Sequence, residues 1–318
     1  MSVIFITVIS VLLVIVTGYA LSRFLLTDDA FWQGVSRLCY WVLFPVMLVK
    51  VLSGADFSGS WVGSLALVLW AALLLMLGYS LLTGRLLKLT GPSTSSMVQG
   101  NLRHNTFIGI AIMGDVLGLR GVELAALATA ILVPAVNVLC VMSMLRLNGN
   151  GDGDEEKSIK RLIIKELVRN PLIIAVVIGL AINALDWSLP VLAMQTMDLL
   201  SRAALPMLLM AVGASMKLRA ISSNWQALLS VLLGKGMVMP AFTLVTTMAL
   251  GLPNEVVLTA VVFTALPTAA SAYALAQQLK GDVPLMADII SVQTLFSLLT
   301  LTIWSMVVIE LTGLSIGT

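Results

Sequence analysis

Long apolar runs separated by short polar ones dominate the chain, and their lengths set the expected architecture. Ten stretches read as candidate spans: residues 3–22, 33–53, 61–84, 97–118, 122–146, 169–186, 193–215, 226–250, 256–277 and 287–312. A helix crosses a bilayer with about 20 mostly apolar residues. The runs are continuous rather than alternating with period two, so helices are expected and not barrel strands. The pattern predicts an all-α membrane protein with ten transmembrane helices.

One long polar stretch, Asn148-Gly149-Asn150-Gly151-Asp152-Gly153-Asp154-Glu155-Glu156-Lys157, interrupts the series. Turn formers and charge without an apolar period make it a cytoplasmic linker. Its Gly151-Asp152-Gly153-Asp154 matches a pattern of intramembrane aspartyl proteases. A solvated loop does not supply the buried carboxylate pair which that chemistry needs. The expected division is 1–147 as a first five-helix repeat, 148–160 as linker and 161–318 as a second repeat. An odd number of helices per half inverts the second half in the membrane. Landmarks recur at one offset: Gly18 and Gly179, Ala20 and Ala181, and Pro45 and Pro206 each stand 161 positions apart. The same offset carries Asn105-Thr106 onto Leu266-Pro267. Interrupted helices at corresponding positions of inverted repeats point to a transporter's binding site.

Composition agrees with a membrane protein. The chain has 318 residues, 59% of them hydrophobic and 11% charged, with a mean hydropathy of +1.04. Soluble domains carry about 25% charged residues. The cations are distributed unevenly. Alternate connections hold Arg23, Arg37, Arg85, Lys88, Arg103, Arg146, Lys157, Lys160, Arg161, Lys165, Arg169, Lys217, Arg219 and Lys280, whereas the opposite set holds Lys50 and Arg120. Lys- and Arg-rich loops stay cytoplasmic. This predicts a multi-pass protein of the cell inner (cytoplasmic) membrane with both termini non-cytoplasmic. The basic residues are thus topological, and no nucleic-acid partner is expected. Residues 3–21 lack a basic segment before them and are long enough to span, so they are not read as a cleavable signal. Cys39 and Cys140 fall inside apolar runs without ligand spacing and are expected to be buried.

The candidate chemistry gathers at two places. Gly100-Asn101-Leu102-Arg103-His104-Asn105-Thr106-Phe107-Ile108-Gly109-Ile110 sets a polar knot, including the single histidine, at the head of an apolar run. Polar groups at membrane depth are costly without partners and mark functional sites. The ninth run reads Thr264-Ala265-Leu266-Pro267-Thr268-Ala269-Ala270-Ser271, where Pro267 must break or kink the helix. Two such broken helices would present unpaired amides and positive dipole ends, which attract an anion such as a carboxylate. Pro45 and Pro206 are expected to be structural kinks, and Arg103 to snorkel toward the cytoplasmic surface. His104 either bridges helices or relays protons. Lys235, about ten residues into the eighth run and so roughly 15 Å along it, is either an interfacial anchor or a buried counter-charge.

Absences narrow the class. Asp115, Glu123, Asp198, Glu255, Asp288 and Glu310 all fall near the ends of predicted helices. A cation–proton antiporter would want acids at mid-membrane, so an anionic or weak-acid substrate is favoured. There is no phosphate-binding Gly-Lys-Ser/Thr loop, no paired-carboxylate set and no histidine-rich cluster. An enzyme is therefore not expected, nor a metal or cofactor.

These features together resemble the auxin efflux carrier family, which includes the plant PIN proteins and bacterial organic-acid permeases. The resemblance rests on Phe44-Pro45, Asn105-Thr106-Phe107-Ile108-Gly109, Asn170-Pro171, Leu205-Pro206-Met207-Leu208 with Gly213, and Leu266-Pro267. It implies a 5+5 inverted repeat in which helices 1, 2, 6 and 7 form a scaffold. Helices 3–5 and 8–10 would form a transport domain, with helices 4 and 9 as crossover helices. Family members commonly carry Gly-x-Pro after the helix-four Asn, whereas this chain has Gly109-Ile110-Ala111. Unwinding there is left to Gly109 and the polar cluster.

The resulting expectation is a secondary transporter of a small organic anion, such as malonate or an auxin-like acid. Asn105, Thr106, Gly109, Pro267, Thr268 and Ser271 would bind substrate. His104 and Lys235 would couple or balance charge, with proton or sodium coupling and homodimerisation left open. The alternative is a receptor that binds a ligand in the same cavity without moving it.

Overall fold

A membrane helix satisfies its own backbone polar groups, and helix is the only regular element among the described residues. The computed structural model describes residues 2–57, 59–149, 168–216 and 224–314. Most of the expected linker, including Gly151-Asp152-Gly153-Asp154, lies outside them. So do Lys157, Lys160, Arg161, Lys165, Lys217 and Arg219.

The helices are α1 (Ser2–Phe24), α2 (Asp29–Leu38), α3 (Phe44–Ser53), α4 (Trp61–Leu86), α5 (Gly91–Leu102) and α6 (Thr106–Leu147). They continue with α7 (Pro171–Ala184), α8 (Val191–Ser215), α9 (Trp225–Leu233), α10 (Met239–Ala249), α11 (Asn254–Ala265), α12 (Ser271–Gln278) and α13 (Val283–Thr312). One wide π-turn, Cys39–Leu43, joins α2 to α3, and another, Gly234–Val238, joins α9 to α10. Among the described residues, 7 helical stretches are long and apolar enough to cross a membrane, and α7 and α11 are shorter apolar helices. Leu67, Leu192 and Ile303 point their side chains outward, as a lipid-facing surface requires.

α6 cannot be one straight rod. Its 42 residues would extend about 63 Å,, roughly twice the ~30 Å hydrocarbon core. Gly118 turns it, with φ 58° and ψ −141°, a conformation that glycine alone adopts readily. The chain doubles back there: a Cβ added at Gly121 would fall 1.9 Å from the Met113 carbonyl oxygen.

Packing divides the helices into two groups. In the first, α1 lies along α8 and α3 lies along α7 and α8. Glycines permit the close approach. A Cβ on Gly18 would sit 2.0 Å from the Met210 carbonyl oxygen, and one on Gly179 would sit 2.8 Å from Leu52 Cβ and 3.2 Å from Val49 Cα. In the second group α11 packs on α10, α13 and α6, while α5 packs on α4 and α6. Thr7 on α1 donates to the Asp115 carboxylate on α6, bridging the two groups. Lys50 on α3 is ion-paired with Asp198 on α8, which also pairs with Arg202. Cys39 and Cys140 are free and buried. Pro45 lies in the first turn of α3, just after the π-turn, and Pro206 lies inside continuous α8.

Candidate functional site

The site is built where two helices stop short. α5 starts with Thr90 as its cap, the side chain accepting from the Ser93 amide, and Pro92 follows in the first turn. Residues 93–102 are all buried although most of them are polar or small. The helix ends as Arg103 turns extended (φ −70°, ψ 147°). Asn105 then caps α6, its side-chain oxygen accepting from the Ile108 amide at 3.4 Å. The break is therefore Arg103-His104-Asn105. Of the two features to which unwinding was left, the break falls in the polar cluster, while Gly109 is helical. Its role is proximity: a Cβ there would meet Leu266 Cδ1 at 2.7 Å.

The second break follows α11. Pro267 pushes its predecessor out of helical geometry, and Leu266 is extended at φ −59°, ψ 144°. Regular helix resumes at Ser271.

The two breaks touch. The Asn105 amide donates to the Pro267 carbonyl at 2.7 Å. Thr268 Oγ1 donates to the Gly100 carbonyl at 2.7 Å, and its amide donates to Gln293 Oε1 at 2.8 Å. Gln293 Nε2 completes the bridge by donating to the same Gly100 carbonyl at 3.1 Å. Lys235 Nζ donates to the Asn101 carbonyl at 3.2 Å. The last carbonyls of a helix have no partner within it. Here those of Gln99, Gly100 and Asn101 are answered by the Arg103 amide, by Thr268 with Gln293, and by Lys235.

The expected site residues thus fall together. Asn105, Thr106, Thr268, His104 and Lys235 are each at most 7% exposed, and Gly109 and Pro267 are buried beside them. Ser271 is the exception: it is exposed and accepts from Arg103 Nη1 at 3.3 Å. Arg103 is half-buried, and its Nη2 donates to Asn137 Oδ1 at 3.1 Å. Lys235 is buried, at 2% exposed, with its ammonium turned to the end of α5.

Several buried polar atoms around the breaks have no hydrogen-bond partner among the described residues: both amide atoms of Gln99, Asn101 Oδ1, Arg103 Nε and His104 Nε2. Buried polar groups are nearly always paired, and these atoms gather at the two breaks. The His104 ring lies 6.1 Å from that of Phe263. Sequence reasoning overlooked Gln293 and Gln99, and gave Asn101 no role beyond its place in the polar knot. Gln293, in Ser291-Val292-Gln293-Thr294, is an uncharged amide inside the last apolar run, and that was the available signal.

The geometry offers two kinds of helix end. The N-terminus of α6 directs amides and a positive dipole end into the junction, while the C-terminus of α5 directs carbonyls into it. Such a junction can hold an anion and balance charge.

No curated protein sequence matches the chain. A family model described as a membrane transport protein matches residues 3–305. With that match over nearly its whole length, the chain belongs to the auxin efflux carrier family of membrane transport proteins.

Proposed function

We propose that this transporter moves a small organic anion, a carboxylate or weak acid such as malonate or an auxin-like acid, across the cytoplasmic membrane by alternating access. The observation that carries the reading is the 2.7 Å hydrogen bond from the Asn105 amide to the Pro267 carbonyl. It joins two helix breaks inside an apolar bundle, next to buried polar atoms without described partners. Asn105 and Thr106 contact substrate at the α6 N-terminus, where free amides favour negative charge. Gly109, Pro267 and Thr268 shape the wall, and Ser271 with Arg103 lines the approach. His104 and Lys235 balance charge.

The elements support ten spans: α1, α2–α3, α4, α5 with 106–117, 119–147, α7, α8, α9–α10, α11–α12 and α13. Glycine contacts support the inverted 5+5 repeat. Gly18 meets Met210 and Gly179 meets Val49. Adding 161 to Gly18 gives Gly179, and adding 161 to Val49 gives Met210. One contact therefore maps onto the other, as a two-fold axis in the membrane plane requires. Helices 1, 2, 6 and 7 form the scaffold, through which two copies could pair. The remainder moves against it, and the charge bias sets both termini outside the cytoplasm.

A thermal-shift screen of the purified protein against carboxylic acids tests the reading, because a ligand specific to the native state raises its melting temperature. A rise with malonate or a related acid, lost in Asn105→Ala, is expected. Equal stabilisation of the folded variant would contradict the assignment.

A further inference from the structure

Lys235 is placed with more care than a structural lysine needs. It sits in the π-turn Gly234–Val238 and is 2% exposed. A π-turn inserts an extra residue into a helix and re-aims its side chains, often at functional sites. Both flanking glycines make room. A Cβ on Gly234 would fall 2.8 Å from Asn101 Oδ1, and one on Gly236 would fall 3.1 Å from the Phe296 ring. The turn is thereby pressed against the end of α5.

The ammonium donates to the Asn101 carbonyl at 3.2 Å and lies 3.7 Å from Met239 Sδ. Neither contact carries formal charge. What it faces is the negative end of a broken helix, equivalent to about −0.5 charge. Arg103 at the same end directs its guanidinium to Asn137 and Ser271, so Lys235 is the charged side chain described as donating to the last α5 carbonyls. In transporters with broken helices, unwound carbonyls and half-helix C-termini are where sodium ions or protons bind. Asn101 offers two oxygens here, its carbonyl and the buried Oδ1 that has no described partner. Lys235 also lines a void of about 10 Å³ with Pro267, Gln293 and Thr300 among others, on the side of the π-turn that faces the second break. That is about the space one water occupies, and a small monovalent ion is of similar size.

We propose that Lys235 is a tethered cation: its ammonium takes the position at the α5 C-terminus that a soluble sodium or potassium ion would otherwise fill. The carrier then cycles without binding either ion. This rests on the transport reading above. The charge that other carriers collect from solution is here part of the chain, and it stays within one packing group with α5 and α11 through the cycle.

Removing the ammonium exposes the proposal to test. Lys235→Ala leaves Asn101 O and Oδ1 beside a cavity fitted to a small cation. Melting is measured in choline chloride, with sodium, potassium or ethylammonium chloride exchanged in at constant ionic strength. The wild type is expected to be indifferent to all three. Lys235→Ala is expected to melt lower and to regain about 3 °C or more, saturably, with ethylammonium or sodium. Lys235→Met, which fills the space without charge, should gain nothing. Saturable stabilisation of the wild type by sodium or potassium would overturn the proposal, and that arm needs no variant. A folded Lys235→Ala with no response to any cation would overturn it too. Melting requires no substrate, so either result leaves the carboxylate reading standing. A protein that shows the cation response yet moves no carboxylate overturns that reading instead.

Discussion

Asn105 does two jobs with one residue. Its side chain caps α6 and its backbone amide ties the first break to the second. Losing an N-cap costs about 1 kcal/mol, so Asn105→Ala is expected to fold, and any large loss of transport reports on substrate. Gln293 is different. It bridges the Gly100 carbonyl and the Thr268 amide while 4% exposed. Gln293→Leu leaves both without that partner and is expected to destabilise by about 1–3 kcal/mol, measurable as a lowered melting temperature with binding weakened in parallel. An unchanged melting temperature would show that the bridge does not hold the junction. At this scale the sequence was readable where a residue was unusual for its surroundings, as with Asn105, His104 and Pro267. Gln293 was hidden because an uncharged amide barely disturbs hydropathy, and its partners are backbone groups 25 and 193 positions away.

At the scale of elements, helix ends and helix contacts follow different rules. The second break was legible because proline has no amide and constrains its neighbour. The first was legible as a polar knot, which contains the observed break without marking its bounds. Unwinding was left to Gly109 and the polar cluster, and the chain opens in the cluster at Arg103–Asn105, where polar side chains can satisfy the exposed backbone. Gly109 serves packing against Leu266 instead. The repeat contacts give a graded prediction. At Gly18 an added methyl meets a backbone carbonyl at 2.0 Å, while at Gly179 the nearest atom is a side-chain carbon at 2.8 Å. Overpacking costs about 1–3 kcal/mol. Gly18→Ala is expected to lower the melting temperature more than Gly179→Ala, and the reverse order would contradict the described α1–α8 approach.

For the whole molecule, alternating access requires the two packing groups to move against each other. Thr7 and Asp115 touch across that boundary. Cysteines at both positions, in a chain whose buried Cys39 and Cys140 are replaced by alanine, should be bridged by mercury(II). Bridging is expected to stop transport, and a dithiol to restore it. Full transport by the bridged protein would rule out relative motion at this boundary. The membrane class and helical fold were legible from apolar run lengths alone. The grouping of the helices was expected from the family resemblance and not from run lengths, because it depends on contacts between segments far apart in the sequence.

The central claim is that the junction of the two breaks is the place where a carboxylate is carried. The most direct measurement is uptake of labelled malonate and related carboxylates into proteoliposomes, comparing wild type with Asn105→Ala at matched protein content and confirmed folding. The account predicts transport of at least one acid by the wild type and at least a tenfold loss in the variant, equivalent to about 1.4 kcal/mol of lost interaction. Equal rates from a folded Asn105→Ala protein would contradict it.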